Sequence, residues 1–322
     1  MATGIVIVDK PGGMTSQGVV SRLRRIFGQK SVGHGGTLDP MATGVLPLFL
    51  GRATKASSYA LEGDKVYAAR FRFGLTTDTE DTTGRTLTVS SALPDAAAVA
   101  AVLPRFTGTL SQVPPMVSAI KKDGQRLYDL ARRGIEVERE ARTVTIYEIV
   151  PYTDADSPFG PAGEGEYDFR IRCSKGTYIR TLCADIGRAL GCGAAMAALR
   201  RTRTGKFTLD DAVTVEELEA LSYAERAAKL LPVESLFEDL DAVEVNDFYA
   251  KLTRGGADLY QKKLHADFAP GTLVRVRHDG QFIALARAME KDDVPILRAE
   301  KLFVIDGPKQ TAEAAEPEEE NT

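Results

Sequence analysis

The run Gly33-His34-Gly35-Gly36-Thr37-Leu38-Asp39-Pro40-Met41-Ala42-Thr43-Gly44 holds four glycines in twelve positions. Such a run makes a loop whose backbone can lie close against a ligand. Its one carboxylate, Asp39, precedes a proline, which biases it towards extended geometry, so Asp39 stands off a turn and not inside a helix. A carboxylate presented this way suits a nucleophile or a general acid–base group. A glycine-rich turn capped by aspartate is the plain alternative.

Around this loop the chain reads as strands and helices in alternation. Ile5 to Val8 is strand-like and runs into the turn Asp9-Lys10-Pro11-Gly12-Gly13. Thr15 or Ser16 can cap a helix reaching about Phe27, with Val19, Val20, Leu23 and Ile26 on one face. Val45–Leu50, Lys65–Phe73, Thr143–Val150 and Tyr167–Ser174 read as strands. Asp95–Leu103 reads as a helix stopped by Pro104, Gln125–Arg133 as a short basic helix, and Thr177–Leu190 as a helix ended by Gly191. Asp154–Glu166 is a Gly/Pro/acidic insertion expected to form a surface loop. Leu231–Asp247 is an acidic connector. Beyond it, short strands at Leu273–Val276, Phe282–Ala286 and Leu302–Val304, punctuated by glycines, suit a small β-barrel-like module of about sixty residues.

No apolar run reaches transmembrane length, and the first residues lack a signal-peptide pattern, so the expected compartment is the cytoplasm. Three cysteines without C-x-x-C spacing argue for reduced thiols, and three scattered histidines argue against a Cys/His zinc site. The net charge of −4 is unevenly spread. The stretch from Asp306 to Thr322 carries −5 and leaves the rest at +1, while Arg170 to Lys206 holds nine basic residues against Asp185 alone. A basic segment on a near-neutral body is an electrostatic footprint for phosphates; a solvated charged face is the other reading.

The loop string resembles the G-H-x-G-T-L-D-P-x-A-T-G motif of the TruB family of tRNA pseudouridine synthases. The resemblance runs from about Gly4 to Asp239. It takes in Asp9-Lys10-Pro11-Gly12-Gly13-Met14-Thr15-Ser16, Gly51-Arg52-Ala53-Thr54-Lys55 and Lys65-Val66-Tyr67. It continues through the Gly74–Gly84 segment, Pro114-Pro115-Met116-Val117-Ser118-Ala119-Ile120-Lys121, the block Cys173 to Leu182, and Leu199-Arg200-Arg201. It implies an α+β fold: a mixed, largely antiparallel central sheet flanked by helices (the pseudouridine synthase fold), then a small C-terminal PUA-like β-barrel. The implied division is a catalytic domain over residues 1–240, a PUA-like RNA-binding domain over 243–306, and an acidic disordered tail over 307–322.

The resemblance also implies isomerisation of the T-loop uridine, position 55 of tRNA, to pseudouridine, with Asp39 as the nucleophile. Tyr67 matches the active-site tyrosine, able to stack on uracil and to take or relay a proton. Arg180 matches the arginine that pairs with the nucleophile and keeps it ionised. Leu199 matches an apolar wall of the base pocket, and Tyr178 and Asp81 match residues near the target, where Asp81 can also pair with Arg180 or orient it. His34 matches a histidine that contacts displaced nucleotides when the uridine is extruded. Lys10, Lys55 and Arg201 are candidates for backbone phosphates. An isomerisation needs neither redox cofactor nor ATP, and the chain has no phosphate-binding glycine-lysine loop and no dinucleotide fingerprint. The expected partner is the tRNA T-arm, with no metal, membrane, guide RNA or obligatory protein partner, and a monomeric state. Three rivals remain at this level: an RNA-guided synthase of the dyskerin type, an RNA chaperone that refolds tRNA with or without catalysis, and a glycine-loop phosphate hydrolase.

Overall fold

Strand β1 (Gly4–Lys10) forms from the apolar run that opens the chain, and Pro11 follows it. In the computed structural model, which describes residues 1–118, 120–122, 124–153 and 155–303, Thr15 then caps α1 (Ser16–Ile26). Its hydroxyl accepts from the Gly18 N–H at 2.9 Å, while Arg24 and Arg25 occupy the last turn, where the helix dipole favours cations. β2 (Val32–His34) and β3 (Thr43–Leu50) flank the Asp39 loop, and β4 (Lys65–Phe73) has the bounds its alternation predicts. A hairpin of β5 (Leu75–Thr77) and β6 (Thr86–Val89) encloses Asp78 and Asp81. Asp95 caps α2 (Ala96–Val102), and the chain passes Pro104 in a 3-10 turn before β7 (Gly108–Gln112). The expected basic helix divides: β8 (Lys121–Lys122) and β9 (Gln125–Arg126) pair as a hairpin, and the helix, α3, covers Leu127–Arg132. β10 (Arg142–Pro151), β11 (Glu166–Cys173) and α4 (Ile179–Ala189) lie where their patterns place them.

The longest of the strands missing from the sequence reading is β12 (Ala194–Thr204). Its alanines followed by arginines show no simple alternation, and bulges at Met196/Ala198 and Arg201/Arg203 break its period. β13 (Phe207–Thr208), β14 (Ala212–Val213), α5 (Val215–Ala220) and α6 (Tyr223–Ala228) follow. The sheet order is β14-β1-β3-β12-β4-β11-β10-β7, with β2 on β3 and β13 on β12. The β1–β14 and β3–β12 pairs are parallel and the rest antiparallel, so the sheet is mixed and largely antiparallel as expected.

Two cores hold helices to this sheet. Val19, Val20 and Leu23 of α1 pack with Val6, Val8, Leu46 and Leu48. Leu182, Cys183 and Ile186 of α4 pack with Ala69, Phe71, Phe169 and Met196. Cutting a fully buried ring such as Phe71 back to alanine costs about 3–5 kcal/mol, so α4 is rigidly seated, and with it the residues of its first turn. The three cysteines are buried and unbridged.

The described chain divides into residues 1–236 and a second unit from Phe237 onwards. The second unit holds β15 (Ala242–Glu244), α7 (Asp247–Arg254), β16 (Leu259–Tyr260), β17 (Leu273–His278), β18 (Gln281–Lys291) and β19 (Val294–Leu302). They form a five-stranded sheet in the order β15-β17-β18-β19-β16 around a small apolar core. The sequence reading names only strands here, the last at Leu302–Val304. Instead Asn246 caps α7, and the last strand begins at Val294 after Asp292 and Asp293, which take positive φ in the hairpin turn. Val304 and the acidic tail lie outside the described residues. Among the described residues no helix is long and apolar enough to cross a membrane.

Candidate active site

Three contacts from the start of the chain fasten the loop that carries Asp39. The Lys10 ammonium donates to the carbonyls of Pro11 at 2.8 Å, Met14 at 2.5 Å and Pro40 at 3.2 Å. The Gly13 N–H donates to Pro40 C=O at 2.8 Å, and the Ser16 hydroxyl accepts from the Leu38 N–H at 2.9 Å. At the far end Gly44 has φ +104°, and a Cβ there would stand 2.2 Å from the Arg201 carbonyl. Only glycine lets β3 lie this close to β12.

α4 delivers Arg180 to this loop. Its guanidinium is 3 % exposed and meets Asp39 in a fork: Nε to Oδ2 at 2.9 Å and Nη2 to Oδ1 at 3.1 Å. The remaining donors go to Thr79 C=O and Val117 C=O, both at 2.8 Å. Asp81 lies behind, 3.7 Å from Nη1, and accepts bonds from Thr79 Oγ1, Thr83 N–H and Thr83 Oγ1. A fork whose planarity is fixed at both ends holds the carboxylate in one orientation.

Asp39 and Arg180 sit in a pocket of about 570 Å³ that Tyr67, Tyr178, Leu199 and Arg201 also line. Burial pushes the Asp39 carboxyl above its ordinary value; Arg180 opposes this, and Asp81 adds to the rise. Burial likewise raises the Tyr67 hydroxyl, with the Arg201 guanidinium pulling it back. Lys65, which also lines the pocket and donates to the carbonyls of Leu61 and Gly63, is lowered to about 8 by burial.

The sequence candidates therefore divide. Asp39, Tyr67, Tyr178, Arg180, Leu199 and Arg201 converge on one pocket. Asp81 is off its wall and pairs with Arg180, the one of its two expected roles that the geometry serves; it is not a direct substrate contact. Lys10 is fully buried, lowered to about 8 by burial, and spent on three loop carbonyls; it is no phosphate ligand but the peg of the Asp39 loop. Arg201 is likewise buried, bonding Val45 C=O at 2.8 Å and reaching Thr37 C=O at 3.5 Å, so it underlies the loop and does not face a polynucleotide backbone. Lys55 is exposed on a 3-10 turn outside the pocket lining. His34 ends β2 outside that lining, half-buried, with its pKa lowered by burial and its Nδ1 without a partner.

The basic segment is also not an open footprint. Arg170 and Arg200 lie opposite Ala68, and Arg172 and Arg203 opposite Val66, so the pleat turns all four away from Tyr67. There Arg170 pairs with Glu148, Arg200 with Asp9, and Arg172 and Arg203 share Asp64. Lys175 pairs with Glu62 and Arg188 with Asp185. Distant carboxylates thus neutralise most of a charge that looks unopposed along the chain. Residues the sequence reading passed over are Lys65, quoted only within a motif, and Gln112, which bonds the backbone of Tyr178. No local pattern marks Gln112, because its partner is 66 positions away.

Comparison with known proteins gives this geometry a family. Residues 24–179 match the TruB family pseudouridylate synthase (N terminal domain) model, and residues 180–238 match the tRNA pseudouridylate synthase B C-terminal domain model. The chain is 44 % identical over 304 residues to the tRNA pseudouridine synthase B of Burkholderia mallei, covering 94 % of this chain and 97 % of the relative. It is 47 % identical over 253 residues to that of Dechloromonas aromatica, covering 79 % and 82 %. Among solved structures it resembles a chain of the archaeal box H/ACA sRNP Nop10-Cbf5 complex, with a TM-score of 0.68, 27 % identity, and 94 % and 86 % coverage. A chain of an H/ACA RNP bound to a substrate RNA containing 2'-deoxyuridine matches with a TM-score of 0.66 and 27 % identity, over 94 % and 85 % of the two chains. With the glycine loop, its forked aspartate and matches over most of its length, the chain belongs to the TruB family of pseudouridylate synthases.

Proposed function

We propose that the protein isomerises the T-loop uridine, position 55 of tRNA, to pseudouridine, with Asp39 as the nucleophile. The reaction breaks the bond between uracil N1 and ribose C1′, turns the base, and joins C5 to C1′; C5 loses a proton and N1 gains one. The observation that carries the reading is the forked Asp39–Arg180 pair in a pocket of small-ligand size. Arg180 opposes the rise that burial imposes on the carboxyl and holds its reactive oxygens in place. Tyr67 and Leu199 offer an aromatic and an aliphatic wall for a base taken out of its stack, and the Tyr67 hydroxyl serves to take or relay a proton. None of these steps needs a cofactor. His34 and Lys55, outside the pocket, are the remaining candidates for contact with flanking nucleotides.

The unit from Phe237 onwards supplies additional RNA contacts as a PUA-like module, and the protein works as a monomer in the cytoplasm without guide RNA. The 44 % identity to a protein named tRNA pseudouridine synthase B favours this over a guided enzyme. A tRNA-folding activity is separable from chemistry by Asp39→Asn. Purified protein is incubated with an unmodified tRNA transcript and with a bare T-arm hairpin, and pseudouridine is mapped chemically. Both RNAs are expected to be modified at the T-loop uridine. Asp39→Asn should lower turnover by roughly 10⁴-fold or more, the scale of a lost nucleophile, with affinity within a few-fold. Modification elsewhere, or turnover by a verified Asp39→Asn protein, sinks the assignment.

A further inference from the structure

Helix α4 starts without a cap of its own. Tyr178 stands at the N-cap position, and its side chain makes no capping bond to the first-turn N–H groups. Its backbone is held from another part of the fold. Gln112, buried at the end of β7, accepts from the Tyr178 N–H through Oε1 at 2.8 Å and donates from Nε2 to the Tyr178 C=O at 3.1 Å. The amide orientation is forced, because one partner can only donate and the other only accept. Two bonds from one planar group hold the two peptide groups that flank the Tyr178 Cα, and so fix the position and rotation of that residue. A few residues further along the same segment, Val117 C=O receives Arg180 Nη2.

We propose that Gln112 is a positioning residue for the isomerisation: it sets the first turn of α4, and so places Tyr178 at the pocket wall and Arg180 on Asp39. This rests on the function proposed above. Glutamine is the side chain whose reach and paired donor and acceptor fit the task. Asparagine is a methylene shorter. Ionised glutamate can accept from the Tyr178 N–H but sets a charge against its carbonyl; protonated glutamate recovers the donor. Displacing Arg180 by a fraction of an ångström opens the fork on Asp39, and misplacements of that order cost roughly 10–100-fold in rate.

Gln112→Glu and Gln112→Met test this by single-turnover pseudouridine formation across pH, tRNA affinity, and amide hydrogen exchange over Tyr178–Thr181. Both variants should lose roughly 10–100-fold in rate near neutrality, with affinity within about threefold of wild type. The rate of Gln112→Glu divided by that of wild type should climb as pH falls and the new carboxyl protonates, whereas the Gln112→Met ratio stays flat. Fitting the Asp39 limb separately in each protein separates its protonation from that of the new carboxyl. Exchange at Tyr178–Thr181 should quicken in Gln112→Met. Wild-type rates in both variants, a Gln112→Glu ratio as flat as that of Gln112→Met, or an affinity loss with unchanged chemistry would overturn the proposal. If Gln112→Met does not fold, the pH titration of Gln112→Glu decides alone. If the wild-type protein forms no pseudouridine, the function proposed above fails, while the exchange measurement still decides whether Gln112 holds the turn.

Discussion

Arg180 and Arg203 each grip an aspartate, one in the pocket and one on the face of the sheet turned away from Tyr67. Arg180 is 3 % exposed and every nitrogen is committed. Arg203 is 36 % exposed and shares Asp64 with Arg172, itself 46 % exposed. Water screens the outer pairs, so each contributes about 0–1 kcal/mol. In the pocket the charges act on one another: Arg180, Asp81 and Lys10 all move Asp39, and Arg201 moves Tyr67 and Lys65. The same ion pair is a surface ornament on one side of the molecule and a device for setting protonation on the other. The cations of the pocket are Lys65, Arg142, Lys175, Arg180 and Arg201 on its lining, with Lys10 acting on Asp39 from behind, so only part of the basic segment serves it.

Four substitutions probe this contrast. Arg180→Met should cost most, roughly 10²–10³-fold in single-turnover rate, with tRNA affinity within a few-fold; a collapse of affinity at normal chemistry would make Arg180 a phosphate ligand. Lys10→Met should come next, lowering the rate by roughly 10–100-fold as the Asp39 loop loosens, with the salt dependence of binding unchanged. A log–log salt slope reduced by roughly 0.7–0.9 would restore Lys10 as a phosphate contact.

Asp81→Asn should act on pH. A carboxylate nucleophile works when ionised, so activity rises with pH through the Asp39 pKa, which burial and Asp81 hold above the ordinary 3.8. Removing the Asp81 charge lowers that pKa, so the acid limb of the rate profile should move to lower pH. A limb moved upwards would show that Asp81 matters chiefly by steadying Arg180. Arg203→Gln should do least, changing stability by no more than about 1 kcal/mol and affinity less than twofold. A tenfold loss of affinity would make the outer face an RNA surface and erase the contrast.

What the sequence revealed was local. The Asp39 loop, the cap at Thr15 and the alternation of Lys65–Phe73 are contained in short windows, and each lies where its pattern put it. The misreadings of charged residues share a cause: a charge is visible along the chain and its partner is not. Lys10 looks free until Pro40 is folded back on it. Arg170, Arg172, Arg200 and Arg203 look unopposed until Glu148, Asp64 and Asp9 arrive. β12 was hidden because a central, bulged strand rich in alanine and arginine shows neither alternation nor a continuous apolar run.

The order of strands carries a consequence for synthesis. β3 and β4 are consecutive strands in the chain, yet β12 lies between them and joins the β14-β1-β3 half of the sheet to the β4-β11-β10-β7 half. Asp39 and Arg180 are 141 positions apart. At roughly 5–20 residues per second, a ribosome needs on the order of ten seconds to pass from one to the other. Until residue 204 has emerged, no β12 can bridge the two halves of the sheet, and Leu199 and Arg201 are missing from the pocket around Asp39. The keystone is laid late, and the catalyst comes into being with it.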